Sequence, residues 1–403
     1  MVNRVNYYCR VLSILVGLPL GAQGAMTVDT VAPGITYLHF TRPAGPWEIH
    51  LARVDRTQGP WTLTVRHAGD SFWGRETTSS MATRLATSGA AVGEVPVALN
   101  ADFFDLRTGE VTNNQVIEGE VWKAILGFDV PRERRRLQRG QFAIETDGTP
   151  VIGGLAFAGR LRVGGQTFVF DAVNARPTQA SALVRFDARW GTTPVDDSTK
   201  RVTGDTTIRG IRLVAYGASA RARLDSIAMA SRRRWWGRAP RLSFEQHFVA
   251  PAIPASASAP SRAERMLTPR AVGGGWPVLV RDSVSLAAQA DSLERTAPSF
   301  SAARHPRSAI GTSEGGRILW LIAVDGRQTA SAGMTLVELA DLMRELGITE
   351  GLNLDGGGST ALWVAGTVRN RPSDPTGERT VGNAVMIVRD GPREAAPRAE
   401  RRP

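Results

Sequence analysis

Short apolar runs separated by proline and glycine turns dominate the chain, and they predict a strand-rich protein. In one run the apolar positions alternate at Trp47, Ile49 and Leu51, which is typical of a strand with one buried face. The pattern predicts strands at residues 34–40, 47–54, 61–65, 95–99, 167–170, 183–186, 211–214 and 242–244, and a short helix at 80–88. These elements predict an α+β fold, in which a strand-rich mixed sheet carries a few helices packed on it.

The strongest helical pattern follows residue 334. Thr335 and Glu338 fit a capping box, apolar residues then recur at helical spacing to position 346, and Gly347 is placed to end the helix. Buried strands are predicted on either side, at 319–324 and 351–354. A strand, a helix and a second strand in this order suggest that the two strands lie near each other, most simply through a right-handed crossover. Asp325 and Asp355, which follow the two strands, are therefore expected at the same edge of the sheet, where open sheets bind ligands.

Composition fits a folded protein. The 403 residues are 42% hydrophobic and 22% charged, which excludes disordered and fibrous classes. Arg4 and Arg10, the apolar run 11–20 and small residues at 21–25 predict an export signal at 1–24, with a buried N-terminal strand as the alternative. Cleavage would remove Cys9, the single cysteine, so disulfides and cysteine-based sites are excluded for the mature chain. We expect a periplasmic or secreted protein with no stable membrane insertion after signal cleavage.

The chain is basic, with a formal net charge of +11 that falls by the two signal arginines to +9. Nearly all of this charge is arginine, because lysine occurs only at Lys123 and Lys200. Arginine-rich runs at 132–136 and 232–238, the second with two tryptophans, could pack on sugars, bases or acidic polymers, or form a solvated hairpin face. Export argues against a nucleic acid partner.

The predicted organisation is an N-terminal strand-rich segment at 25–94 and a catalytic domain at 95–388. Residues 150–270 form its variable strand-rich part. The stretch 250–262, rich in alanine, serine and proline, predicts a loop or linker, and the charged tail 389–403 predicts disorder.

Candidate chemistry lies in the run Asp-Gly-Gly-Gly-Ser-Thr at 355–360. Consecutive glycines let backbone N–H groups approach an anion, and the two hydroxyls add donors, although a plain turn would have the same sequence. The combination with Asp325, Arg307, Arg327 and Asn353 favours a site, because polar groups that follow buried strands need partners.

Eight segments carry a resemblance to a known family. They lie at residues 100–104, 273–280, 305–311, 324–327, 333–336, 353–360, 370–374 and 379–384. On these segments the chain resembles the phosphodiester glycosidase domain family, which includes bacterial exopolysaccharide-associated proteins, over about residues 30–388. The family usually has a glycine pair after the first asparagine, whereas this chain has Ala101 and Asp102.

The resemblance implies hydrolysis of a sugar 1-phosphodiester to free sugar and phosphomonoester, on an envelope or extracellular glycan. Asp355 is the first candidate for the catalytic carboxyl group, and Asp325 is the second. Arg307, also expected among the catalytic residues, would bind the phosphate. The expected substrate-binding residues are Asn100, Asp102, His305, Arg327, Asn353, Gly356, Gly357, Gly358, Ser359, Thr360, Arg379 and Asn383. No cofactor or metal is expected.

Two other functions stay open from the sequence. A non-catalytic module could bind acidic polysaccharide through arginine and tryptophan, without a proton donor. Nucleic acid binding would show a steep fall of affinity with salt. A serine hydrolase is disfavoured because a strand-like segment, and not a helix, follows the triple glycine, and the five histidines include no pair at the spacing of zinc ligands on a helix.

Overall fold

The computed structural model describes residues 26–88, 94–130, 135–177, 179, 181–196, 201–232, 240–250 and 265–389. In these ranges the first strands are β1 (Met26–Ala32), β2 (Ile35–Arg42), β3 (Trp47–Asp55), β4 (Trp61–His67), β5 (Val97–Asn100), β6 (Gln115–Ile117), β7 (Glu120–Lys123), β8 (Phe128–Val130), β9 (Arg135–Leu137), β10 (Gly140–Glu145), β11 (Pro150–Gly154), β12 (Ala156–Val163), β13 (Gln166–Phe170) and β14 (Ala172–Val173).

The later strands are β15 (Ala182–Phe186), β16 (Val202–Ile208), β17 (Ile211–Tyr216), β18 (Leu242–Ala250), β19 (Arg265–Leu267), β20 (Pro269–Gly274), β21 (Val278–Arg281), β22 (Val284–Ser285), β23 (Arg307–Ser313), β24 (Ile318–Val324), β25 (Glu350–Asn353), β26 (Leu362–Val364), β27 (Thr367–Val368) and β28 (Asn383–Arg389). The α-helices are α1 (Thr78–Thr87), α2 (Ala218–Arg232), α3 (Ala290–Leu293), α4 (Pro298–Ser301) and α5 (Leu336–Glu345). Short 3-10 turns include Gly357–Ser359.

The largest sheet has eight strands in the order β1-β2-β3-β24-β23-β25-β21-β22. All its pairings are antiparallel, and β23 lies between β24 and β25. Because β24 and β25 both run opposite to β23, they are parallel to each other and end at the same edge of the sheet. Helix α5 connects them, as the apolar pattern predicts, and its capping box between Thr335 and Glu338 is present.

A second sheet, β27-β26-β5-β28-β4, packs face to face with the largest one. Their shared core contains Tyr37, Leu321 and Leu352 from the first sheet and Leu99 and Val385 from the second. The outer face of each sheet is covered by a helix. A second apolar core joins α5 to the largest sheet, and a third joins α1 to the second sheet. The central architecture is thus helix, sheet, sheet, helix.

Further sheets extend this core on one side. They are β11-β10-β20-β6-β7, β13-β12-β18-β19 and β14-β15-β17-β16, together with the pair β8-β9. One apolar core joins the first three of them to helix α2. The pair β14-β15 is parallel.

The predicted α+β fold is confirmed, although the sheets are mainly antiparallel where a mixed sheet was expected. The predicted strand bounds agree with the structure to within a few residues, except that β18 extends well beyond the predicted 242–244. The predicted boundary at residue 94 separates strands that share sheets, since β1 to β3 lie in the same sheet as β21 to β25. The predicted signal at 1–24, most of the loop 250–262, the tail after Arg389 and most of the two arginine runs lie outside the described residues.

Candidate active site

Polar residues collect at the sheet edge where β24 and β25 end and β23 begins. The register pairs Arg307 with Val324 and Ala309 with Asn353. Asp325 therefore follows β24 at this edge, and Asp355 follows β25 beside it. His305 precedes β23 and pairs with Met334 in an isolated bridge. The sequence prediction that the two aspartates leave the same edge is confirmed.

Asp355 is a partly exposed carboxyl group held by its own turn. Its backbone N–H donates to the carbonyl of Ala101 at 2.9 Å, and its carbonyl accepts from Asn100 Nδ2 at 2.5 Å. Its Oδ1 accepts from the N–H of Gly356 at 2.9 Å. Burial raises the pKa of Asp355 to about 6, while Ser359, Gly356 and the Arg379 guanidinium favour the ionised form. A carboxyl group with this pKa exchanges protons near neutral pH.

A second carboxyl group, Asp102, is buried close to Asp355. Asn113 donates to both of its oxygens, and Gly274 packs so tightly against it that an added Cβ would lie 2.2 Å from Asp102 Cγ. Burial raises the pKa of Asp102 to about 7; hydrogen bonds from Asn113 and the charge of Lys123 oppose the shift, and the Asp355 charge adds to it. The two carboxyl groups are therefore electrostatically coupled.

The triple glycine forms a tight turn against charged side chains. Gly357 has a φ of +63°, and an added Cβ there would lie 3.1 Å from Arg327 Nη2. At Gly358 an added Cβ would lie 2.1 Å from Asp374 Oδ1 and 2.2 Å from Arg379 Nη2. Arg379 and Asp374 form a two-bond ion pair with distances of 2.7 and 2.9 Å. The glycines thus let two guanidinium groups approach the turn.

The sequence predicts that backbone N–H groups of this turn can bind an anion, but two of them already have partners within the protein. The N–H of Gly356 is bonded to Asp355, and that of Gly357 donates to the carbonyl of Pro306 at 2.9 Å. The hydroxyls of Ser359 and Thr360 belong to residues that are only 1% exposed. An anion at this turn would consequently be held by side chains more than by these groups.

Arg327 and His305 lie beside the turn and reach solvent. Arg327 is exposed, and its Nη2 lies 3.3 Å from Nδ1 of the half-buried His305. Burial lowers the pKa of His305, and the charges of Arg307 and Arg327 lower it further, so the imidazole is neutral at pH 7. An exposed guanidinium beside a neutral imidazole is a suitable partner for a phosphate group.

Arg307, the predicted phosphate clamp, is bonded to backbone carbonyls in this structure. Its side chain is buried, its Nε donates to the carbonyl of Met334 at 2.8 Å, and its Nη2 donates to those of Phe300 and Ala303 at 2.7 and 2.9 Å. Burial lowers its pKa to about 10. These contacts hold the backbone at this sheet edge. The geometry therefore favours Arg327, and not Arg307, as the residue that could contact a phosphate group.

Asp325 is likewise engaged in holding a loop. Its Oδ1 accepts from Asn370 Nδ2 at 3.1 Å and from the N–H of Arg371 at 3.0 Å. His50 Nε2 lies 3.6 Å from its Oδ2, and the other ring nitrogen of His50 is 2.8 Å from the hydroxyl of Tyr37. Asp325 therefore fixes the segment after β27 against the largest sheet. Of the two aspartates, Asp355 is the better candidate for the catalytic carboxyl group.

The predicted asparagines are buried and bonded within the protein. Asn100 Oδ1 accepts from Ser308 Oγ at 2.7 Å and from the N–H of Ala361 at 3.2 Å. Asn353 Nδ2 donates to the carbonyl of Trp276, and Asn383 Oδ1 accepts from the N–H of Asp102. These amides, which the sequence predicts to bind substrate, fix the segments that carry Asp355 and Asp102.

Sequence reasoning did not identify Asn113, Asp374 or Lys123 as site residues. Lys123 was visible as one of two lysines in a chain rich in arginine, and its buried ammonium donates to Glu110 Oε1 and to the carbonyl of Val111. Phe103, the residue after Asp102, belongs to an aromatic cluster with Trp276 and Phe300, and the ring centroids of Trp276 and Phe300 are 5.4 Å apart in a stacked arrangement.

Within the described ranges, no group of three or more histidine, cysteine, aspartate or glutamate side chains is arranged to hold a metal ion. Over the same residues, the helices are too short or too polar to cross a bilayer.

The fold and the site define an α+β protein with coupled carboxyl groups and guanidinium groups at one sheet edge. The model of the family described as phosphodiester glycosidase matches residues 246–388, from within β18 into β28. The family resemblance predicted from the sequence is thus confirmed for this part of the chain, which contains Asp325 and Asp355.

Curated relatives match over short segments. An uncharacterized prophage-derived protein of Bacillus subtilis is 38% identical over 101 residues, which is 24% of this chain and 15% of that protein. N-acetylglucosamine-1-phosphodiester alpha-N-acetylglucosaminidase of Mus musculus is 38% identical over 68 residues, 17% of this chain and 13% of the enzyme. The alignments therefore span about a seventh of the length of these relatives.

Two solved structures share the fold over most of the chain. A candidate exported protein from Burkholderia pseudomallei K96243 aligns with a TM-score of 0.63 and 18% identity, covering 92% of this chain and 97% of that one. A hypothetical protein from Synechocystis aligns with a TM-score of 0.62 and 18% identity, covering 91% of this chain and 64% of that one. At this identity the likeness concerns the fold alone.

Proposed function

We propose that this protein is an exported glycosidase that hydrolyses a sugar 1-phosphodiester on an envelope or extracellular glycan, giving free sugar and a phosphomonoester. The observation that carries the proposal is the position of Asp355, a partly exposed carboxyl group at the end of β25, beside the glycine turn that Arg327 and Arg379 approach. The phosphodiester glycosidase match over residues 246–388 supports the same reaction class.

In the proposed reaction, water attacks the anomeric carbon and the bond from that carbon to the phosphate oxygen breaks. The oxygen keeps the electron pair, so the phosphate side leaves as a monoester. Asp355 accepts the proton of the attacking water, a role that suits a carboxyl group with a pKa of about 6, because it is ionised at neutral pH but still basic.

The leaving phosphate needs charge stabilisation more than it needs a proton. The exposed fork of Arg327 supplies two N–H donors to it, and neutral His305 at 3.3 Å orients that fork. Arg379 lies close enough to lower the pKa of Asp355, yet it is paired with Asp374. We therefore assign phosphate binding to Arg327 and tuning of Asp355 to Arg379.

Export rests on the sequence of residues 1–24, and a solved structure of the same fold comes from a candidate exported protein. The mouse relative is named for N-acetylglucosamine 1-phosphodiesters, which makes this class the first to assay.

The test is product analysis of purified protein with the methyl phosphodiester of N-acetylglucosamine 1-phosphate and analogues with other sugars. We expect free sugar and methyl phosphate in equal amounts. Asp355→Asn should lower kcat by about 10²- to 10⁴-fold with binding of the intact diester retained, while Asp341→Asn on the exposed face of α5 should match the wild type. If wild-type protein binds these diesters without cleaving any, the chain is a binding module for anionic glycans and the proposal is refuted.

A further inference from the structure

Two consecutive residues after β27, Asn370 and Arg371, connect separate parts of the candidate site. Asn370 is 6% exposed, and its Nδ2 donates both to Asp325 Oδ1 and to the carbonyl of Thr360, each at 3.1 Å. Its Oδ1 accepts from the N–H of Leu362 at 2.7 Å. The Asn370 amide thus uses both of its donors within the protein, and it joins the far end of the glycine turn to the aspartate that follows β24.

Arg371 makes a matching connection to the loop that carries Arg327. Its N–H lies 3.0 and 3.1 Å from the two carboxyl oxygens of Asp325, and its carbonyl accepts from Nε2 of Gln328 at 2.8 Å. Gln328 directly follows Arg327 in the chain. Asp325 is itself fixed to the largest sheet, because its own N–H donates to the carbonyl of Glu48 at 3.0 Å. Both connections therefore start from one anchored carboxyl group.

The proposed reaction needs a fixed distance between these two segments. Asp355, at the start of the glycine turn, has to reach the attacking water while Arg327 holds the phosphate of the same diester. Glycine restricts the backbone less than any other residue, so a run of three glycines needs bonds from outside to keep one conformation. Asn370 supplies such a bond at Thr360, where the turn ends.

We propose that Asn370 is a positioning residue which, with the backbone of Arg371, sets the separation between Asp355 and Arg327. The inference rests on the proposed function and deepens it. Asn370 does not contact the diester, because both N–H donors of its amide are used within the protein. It therefore acts on the chemical step through alignment and leaves affinity for the diester to Arg327.

Steady-state kinetics with the methyl diester test this role in two variants. Asn370→Leu removes the amide bonds but keeps the branching and the number of heavy atoms, and Gln328→Met removes only the bond to the Arg371 carbonyl. We expect kcat per folded molecule to fall about 10- to 100-fold in Asn370→Leu and about fivefold in Gln328→Met, with KM within about threefold of the wild type. Gln138→Met is the matched control, because this half-buried glutamine also donates to a backbone carbonyl, that of Leu126 at 3.2 Å.

The division between kcat and KM separates positioning from a purely structural role. A structural role would lower the yield of folded protein, measured by near-UV circular dichroism, and leave kcat of the folded fraction at the wild-type value, which overturns the proposal. A rise in KM with unchanged kcat also overturns it, since the segment would then act on binding and not on alignment. If Asn370→Leu does not fold, Gln328→Met alone decides by the same criteria.

Hydrogen exchange tests the connection without a substrate. In Gln328→Met the N–H of Arg371 keeps its own partner, Asp325, yet it should exchange about fivefold faster because the segment loses its second hold. Exchange in β10 should not change. Unchanged exchange at Arg371 overturns the proposal whether or not a diester is cleaved. If the wild type cleaves no diester, the proposed function fails and the catalytic part of the inference fails with it, while faster exchange still supports the connection between the two segments.

Discussion

Asn113 donates two hydrogen bonds to the carboxyl group of Asp102, one from its backbone N–H at 2.9 Å and one from its side-chain amide at 2.8 Å. The pair fixes a buried carboxyl group close to Asp355, and the family pattern has glycine where this chain has Asp102. Burial and the Asp355 charge raise the pKa of Asp102 to about 7, so Asp355, with a pKa of about 6, ionises first.

Asp102→Asn should leave the pKa of Asp355 nearly unchanged, because Asp102 is mostly protonated at the pH where Asp355 ionises. Activity that depends on ionised Asp355 rises as the pH increases through about 6, so the half-maximum of kcat/KM should stay in place, and only the inflection near pH 7 that Asp102 adds should be lost. The variant should fold, since the buried Asn113 Oδ1 has no partner among the described residues and a flipped Asn113 amide can accept from the new side chain. The pH profile of kcat/KM measures both inflections. Asp341→Asn serves as control, and a half-maximum that moves to lower pH would show that Asp102 is already ionised when Asp355 titrates.

Arg379→Gln should move the half-maximum, which Asp102→Asn should not. The Arg379 guanidinium favours ionised Asp355, so its loss raises the pKa of Asp355 and moves the half-maximum of kcat/KM to higher pH. Because Asp374 would be left without its partner, the double variant with Asp374→Asn separates the two charges. Arg369→Gln, whose guanidinium lies over the ring of Tyr37, is the matched control. A shift to lower pH in Arg379→Gln would contradict the assignment.

Arg327→Asn should weaken binding of the diester. Arg327 has a φ of +59°, a conformation that asparagine tolerates. Weaker binding in this variant would therefore result from the missing guanidinium group and not from a change in the backbone. Removing charged hydrogen bonds to phosphate should reduce kcat/KM by about 10- to 100-fold. Steady-state kinetics with the methyl diester measure this, with Arg162→Asn on the exposed face of β12 as control. The same experiment on Arg307 would give loss of folded protein, because its guanidinium holds three carbonyls.

Local patterns were enough to predict the segment from β24 to the glycine turn. The capping box, the helical spacing and the two apolar strands are all properties of neighbouring residues, and they placed Asp325 and Asp355 at one sheet edge. The central strands of the largest sheet are different. β3 pairs with β24 across more than 250 residues, and no local signal specifies that pairing.

The direction of polar side chains was the main feature that sequence reasoning could not supply. Arg307 and Arg327 both follow or precede strands at the same edge, yet one is buried against carbonyls and the other is exposed. Whether such a side chain is buried or exposed depends on where distant segments such as 300–303 fold back. The amide of Asn100 likewise bonds to Ser308 and to Asp355, which are distant in sequence. The tertiary contacts therefore decide which polar residues line the pocket and which support it.

Glu294→Gln should destabilise the protein and change how its free energy of unfolding depends on pH. Glu294 accepts from the N–H groups of Gly140 and Val278 at 2.7 and 2.8 Å, which joins β10 to β21. Glutamine would turn an amide N–H toward one of these donors, at a cost of about 1–3 kcal/mol.

The sign of the pH effect follows from burial, which raises the pKa of Glu294 from 4.5 to about 7. The folded state therefore holds this proton more tightly than the unfolded state, and the stability gained below pH 4.5 is lost as the pH rises through about 7. Glutamine does not titrate, so the wild-type advantage in free energy of unfolding should be larger at pH 5 than at pH 8. Urea unfolding at the two pH values measures it, with exposed Glu314→Gln as control. A difference that grows toward pH 8 would mean that Glu294 is stabilised as a carboxylate by Arg139 and Arg281, whose charges oppose the burial effect.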